Sequence, residues 1–130
     1  MFSDQRAWAA LAMCVALSVG CSGKQEEPEA KVSFQADVKP ILDKHCLQCH
    51  QPGGNGYEQS GLGMESYGSL MKGTKFGAVI VPGSSVSSTL VRLLEGKADA
   101  SIAMPHGHPP LSNQEIEVIT KWIDQGATDN

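Results

Sequence analysis

The chain has 130 residues, 14 acidic and 10 basic, for a net charge of −4, with 14 glycines, four cysteines, two tryptophans, two tyrosines and three phenylalanines. That length suits one domain, and no basic patch or like-charge run points to nucleic acid. Few aromatics and many glycines leave little side-chain volume for a core, so a staple or a bound group is expected.

Residues 1–20 read as an export signal, with Arg6 ahead of an uncharged run at 7–19 rich in Ala, Leu and Val. Thirteen residues are too few to cross a bilayer as a helix, which needs about 20. The segment Leu17-Ser18-Val19-Gly20-Cys21 resembles the lipobox of bacterial lipoproteins, in which the cysteine is lipidated and becomes the new amino terminus. Cys21 is therefore the expected lipidation site, and acyl chains there would anchor the protein to a membrane without spanning it. Cleavage would remove Asp4 and Arg6 together and leave the net charge at −4. Cys14 lies inside the apolar run and leaves with it. Residues 21–31 then form the lipidated cysteine and a polar, charged spacer, and one domain is expected over 32–130.

Phe34, Val38, Ile41 and Leu42 recur at helical spacing, with Ser33 able to cap and Pro40 expected to begin or kink the main stretch. This helix runs to Cys46-Leu47-Gln48-Cys49-His50. C-x-x-C-H is the pattern of covalent haem attachment, and each residue type has a reason. Two thiols at this spacing can add to the two vinyl groups of the porphyrin, while the adjoining imidazole can ligate the iron as proximal ligand. Two other chemistries fit parts of the pattern. A thioredoxin-like dithiol would need a strand ahead of the motif, and none is indicated. A structural zinc would use Cys46 and Cys49 with His106 and His108. With Cys14 cleaved, Cys21 lipidated and Cys46 and Cys49 on haem, no pair remains for a disulfide.

Beyond the motif, 51–63 is a loop by composition. A short helix is expected over 65–71, ended at Gly73, and Val81-Pro82-Gly83-Ser84 has the order of a type II turn. Ser87 is expected to cap a helix carrying Leu90, Leu93 and Leu94 and stopped by Gly96. The last element is the clearest: Ser112-Asn113-Gln114-Glu115 is a capping box, Ile116, Ile119, Trp122 and Ile123 form an apolar face, and Gly126 is a natural stop. No strand is predicted.

From 34 to 127 the chain resembles the planctomycete-type cytochrome c domain, within the class I-like cytochromes c. The resemblance is carried in order by Asp37-Val38-Lys39-Pro40-Ile41-Leu42, the Cys46–His50 motif, Ser60-Gly61-Leu62-Gly63-Met64, Val81-Pro82-Gly83, Ser88-Thr89-Leu90, Met104-Pro105 and Trp122-Ile123-Asp124-Gln125-Gly126-Ala127. It implies an all-α fold, helices and long loops wrapped around one covalent haem c, with terminal helices packed across each other. The activity it implies is electron transfer, not catalysis.

Iron held by His50 keeps one axial place open, and its occupant separates an electron carrier from a binder of small molecules. Pro105 disfavours helix for Met104, whose thioether can then be presented from a loop. The resemblance gives Met104 this role. His106 and His108 stand as competing imidazoles, whereas Met64 and Met71 read as packing residues and His45 as an exposed side chain. Arg92, Tyr57, Tyr67 and Trp122 are candidates for haem propionates. The resulting expectation is a monomeric, monohaem one-electron carrier between redox protein partners, lipid-anchored and facing the periplasm from the outer membrane. Its rivals are a five-coordinate haem protein with a peroxidatic or gas-sensing role, and the zinc module.

Overall fold

A computed structural model of the chain describes residues 29–130, so the expected signal and Cys21 lie outside the described residues. Ser33 opens the first helical segment: its hydroxyl accepts from the Ala36 amide at 3.1 Å, and its own amide donates to the Asp37 carboxylate at 2.8 Å. The first turn, Phe34–Val38, is wound as a π-helix, and α1, Lys39–His45, follows it. Pro40 sits in the first turn of α1, where its ring brings no N–H back to the π-wound turn before it. The helix thus changes its winding at the proline.

The segment 51–63 departs from its expected loop. It contains α2, Asn55–Ser60, whose composition of glycine and polar residues gave no helical period. What holds it is not propensity. The Tyr57 amide donates to the Cys49 carbonyl at 2.9 Å, and Gly61, at φ +77°, closes the helix by donating to the Tyr57 carbonyl. The next helix, α3, Tyr67–Lys72, is capped by the Ser66 hydroxyl and ends at Gly73. The 81–84 turn forms as predicted, with the Ser84 amide on the Val81 carbonyl at 2.9 Å and Gly83 at φ +82°.

Helix α4, Thr89–Leu94, is preceded by Ser88 and not by Ser87. The buried Ser88 hydroxyl makes no cap. It accepts from the Val81 amide at 2.9 Å and donates to the Ser84 carbonyl at 2.8 Å, tying the helix start to the turn. A short 3₁₀ turn at Ala100–Ile102, absent from the sequence reading, leads into the 103–112 loop. Helix α5, Asn113–Asp124, begins with the complete Ser112/Glu115 capping box and buries Ile119, Trp122 and Ile123. The fold is all-α. Among the described residues the one extended pairing is an isolated bridge between Thr74 and Gly77.

The aromatic side chains are few but concentrated. Phe34 meets Tyr67 and Trp122 with ring centroids 5.3 Å from each, so the first turn, α3 and α5 share one contact. Such pairs contribute about 0.5–1.5 kcal/mol each beyond the area they bury. Around them Val38, Leu42, Leu70, Leu90, Leu94 and Ile119 complete an aliphatic core, and Cys46 and Met104 belong to its partly exposed fringe. The two ends of the domain are also joined directly. Asn130 accepts from Phe34 N at its side chain and from Gln35 N at its carbonyl, both at 3.0 Å, while Gln125 accepts from Val32 N at 2.8 Å.

Glu115 extends the capping box to a second element. Its carboxylate lies 2.9 Å from the His45 ring and 3.2 Å from Lys44 Nζ, so α1 and α5 are joined at their polar ends. His45 is accordingly not the exposed side chain expected, at 18% accessibility. The Ser112 amide first, then the His45 ring, the Ser112 hydroxyl and Lys44, hold the Glu115 carboxyl down at about 2, against 4.5 normally. A value below that of the unfolded chain means that this stabilisation is complete above about pH 4.5 and disappears as pH falls toward 2. Glu115→Gln is expected to cost about 1 kcal/mol at neutral pH, and the gap to wild type should close across that acidic window. Denaturant unfolding at several pH values checks this; two parallel stability curves would contradict it.

Candidate functional site

The Cys46–His50 motif begins where α1 ends. Cys46 closes the helix with its amide on the Leu42 carbonyl, and the Cys49 and His50 amides both return to the Cys46 carbonyl at 3.1 and 3.0 Å. The motif is therefore one tight turn, with both thiols free and half-buried on it. Burial, then the neighbouring Cys49, pushes the Cys46 thiol up to about 11. That is opposite to a redox-active dithiol, which needs a lowered value to form its nucleophilic thiolate.

His50 is the buried member, at 8% accessibility. Its Nδ1 lies 3.2 Å from the Leu62 carbonyl, an acceptor that places the ring proton on Nδ1 and leaves the Nε2 lone pair for a metal. Burial also lowers the pKa of His50, which keeps the imidazole neutral as ligation requires. The chain returns to hold this arrangement, since the Met64 amide donates to the His50 carbonyl at 2.7 Å. Gly56 of α2 lies against the Cε1–Nε2 edge of the ring, where a Cβ would come within 2.8 and 2.9 Å. Two thiols on one turn, a neutral imidazole with its tautomer fixed, and a cradle that a side chain would fill suit a haem held by two thioethers and one nitrogen.

Leu62 and Gly56 were missed in the sequence. Leu62 acts through its carbonyl, which carries no residue-type signature, and Gly56 acts by having no side chain.

Met104 lies in the loop ahead of α5, half-buried and packed against the core. His106 and His108, two and four residues on, are exposed. The zinc arrangement is not assembled: among the described residues no three His, Cys, Asp or Glu side chains converge to hold a metal. Met64 is buried at 2% accessibility and Met71 packs beside the core, as expected of packing residues. Two of the four propionate candidates have other work. The Trp122 indole donates to the Thr128 carbonyl and the Tyr67 hydroxyl to the Ala127 carbonyl, each at 2.9 Å, while Arg92 is exposed and Tyr57 half-buried.

Residues 46–107 match the family model described as Planctomycete cytochrome C, a span that starts at the first motif cysteine and contains Met104. A chain of the solved Kuenenia stuttgartiensis hydrazine synthase is similar over 74% of this chain, with 23% identity and a TM-score of 0.51. This chain spans 16% of the length of that one, and the likeness is one of fold. No curated protein matches.

Proposed function

We propose that this chain, a c-type cytochrome by its match to the planctomycete cytochrome c family, carries single electrons between redox protein partners and is held at a membrane surface by lipid on Cys21. Cys46 and Cys49 would supply the thioethers, His50 the proximal nitrogen and Met104 the distal sulfur of one haem c. When bound, the haem iron supplies the one-electron couple. The protein's own part is to fix the His50 tautomer through Leu62, to keep the ring neutral by burial, and to bring a thioether to the core from the 103–112 loop.

The observation that carries the choice of carrier over small-molecule binder is the contrast at that loop. Met104 packs against the core and both nearby imidazoles face solvent. A methionine that completes the coordination leaves no place for an exogenous ligand, and the activity is then electron transfer alone. Visible spectra of protein exported by a host with cytochrome c maturation test this. The reduced protein should be unchanged by carbon monoxide; a Soret shift on adding it would move the function to ligand binding or peroxidatic chemistry.

The anchor rests on the sequence of the export signal. Cys21 follows a short apolar run and precedes a polar spacer, and Ser22, by resemblance to Gram-negative sorting, favours the outer membrane with the domain facing the periplasm. More than one acyl chain gives stable attachment, because each buried CH₂ contributes about 0.8 kcal/mol. Cys21→Ala should move nearly all of the protein from the membrane fraction to the soluble one. Equal membrane retention by the variant would defeat the anchoring proposal.

A further inference from the structure

Helix α2 contains a glycine that propensity does not explain. Gly56 lies in its first turn with no left-handed φ, a position where alanine would be preferred by up to about 1 kcal/mol. The same holds for Gly68 in α3, but the two differ in their surroundings. A Cβ on Gly68 would meet nothing within 4 Å, whereas on Gly56 it would lie 2.8 Å from His50 Cε1 and 2.9 Å from Nε2, with the Cys49 carbonyl oxygen at 3.0 Å. Those contacts are below any ordinary van der Waals separation. The helix itself cannot retreat easily, because the Tyr57 amide is bonded to the Cys49 carbonyl.

We infer that Gly56 is a positioning residue for the axial ligand: it keeps the Nε2 edge of His50 clear and, with the Leu62 carbonyl on Nδ1, sets the angle at which the imidazole meets the iron. This rests on the reading of His50 as proximal ligand. The ring is held from two sides, by a hydrogen bond at one nitrogen and by the bare backbone of α2 at the other edge. A methyl group at 56 has to turn the ring or stand in the approach to its ligating nitrogen, and either changes the ligation.

The test compares Gly56→Ala with Gly68→Ala, both matured with haem. Wild-type protein without covalent haem would overturn the cytochrome reading itself, before either variant is compared. With haem present, the readout is the orientation of the imidazole plane. It is seen in the electron paramagnetic resonance g-values of the oxidised protein and in the spread of its hyperfine-shifted haem methyl signals. Gly68→Ala should reproduce the wild-type pattern and be no less stable; Gly56→Ala should shift both signatures. Unchanged signatures in Gly56→Ala would overturn the inference. If Gly56→Ala yields no holoprotein, its recovery is compared with that of Gly73→Ala. Gly73, at φ +78°, would place a Cβ 2.5 Å from the Gly77 carbonyl oxygen, a backbone lesion in another loop. Loss confined to position 56 supports the inference, and equal loss in both overturns it.

Discussion

Replacing Cys46 and Cys49 together by serine is expected to reduce the haem retained after acid-acetone extraction to background and to leave a largely unfolded chain. The first effect follows from chemistry, since hydroxyl groups form no thioether with the porphyrin vinyls. The second follows from where the cysteines lie. The buried core runs from Phe34 to Ala127, but Ile41, Cys46, Met71, Met104 and Ile116 form a fringe that solvent still reaches. A domain of about a hundred residues has a net stability of about 5–15 kcal/mol, and the apolar surface that a covalently attached haem would bury against this fringe on folding supplies a large part of such a margin. Loss of the far-UV helical signal or of cooperative thermal unfolding checks the claim. Wild-type protein that holds stoichiometric zinc and no haem would sink the central reading, and a double variant that melts like wild type would sink the dependence of folding on haem.

Met104 carries the second large effect. Met104→Ala should open the iron, so that the reduced variant binds carbon monoxide where wild type does not. Met104→His should keep six ligands but lower the reduction potential by on the order of 0.1 V, because a second imidazole favours oxidised iron more than a thioether does. A weak sulfur-to-iron charge-transfer band in the far red is expected in the oxidised wild type and should vanish in both. Its survival in Met104→Ala would refute the assignment. So would an opening of the iron by His106→Ala or His108→Ala, although both imidazoles face solvent.

How much of this was legible beforehand depended on whether a residue acts by its type. The Cys46–His50 turn, the Ser112/Glu115 capping box, the Pro82-Gly83 turn and the apolar face of α5 all use side chains at fixed spacing, and each was predicted. Helix α2 was not, because it is stabilised from outside by the Cys49 carbonyl and has no apolar stripe of its own. The bond of His45 to Glu115, and the use of Ser88 in place of the expected Ser87 at the start of α4, were missed for a related reason. Their partners, Glu115 and the 81–84 turn, are seventy residues and a few residues away respectively, and in neither case does spacing announce the bond. Trp122 and Tyr67 were candidates for haem propionates because they have donors to offer, yet both donors are taken by the carbonyls of 127–128. A sequence lists donors; only the fold assigns their acceptors.

The bonds that join Val32, Phe34 and Gln35 to Gln125 and Asn130 have a mechanical meaning. If the preceding spacer is fastened to a membrane, any tug along it enters the domain at this seam. There the load passes sideways into the end of the chain and, through Phe34 and Trp122, into the length of α5. The turn that carries Cys46, Cys49 and His50 is separated from this seam by the length of α1. On an anchored chain, the terminal hydrogen bonds would then take strain before the turn that holds the two thiols and the imidazole does.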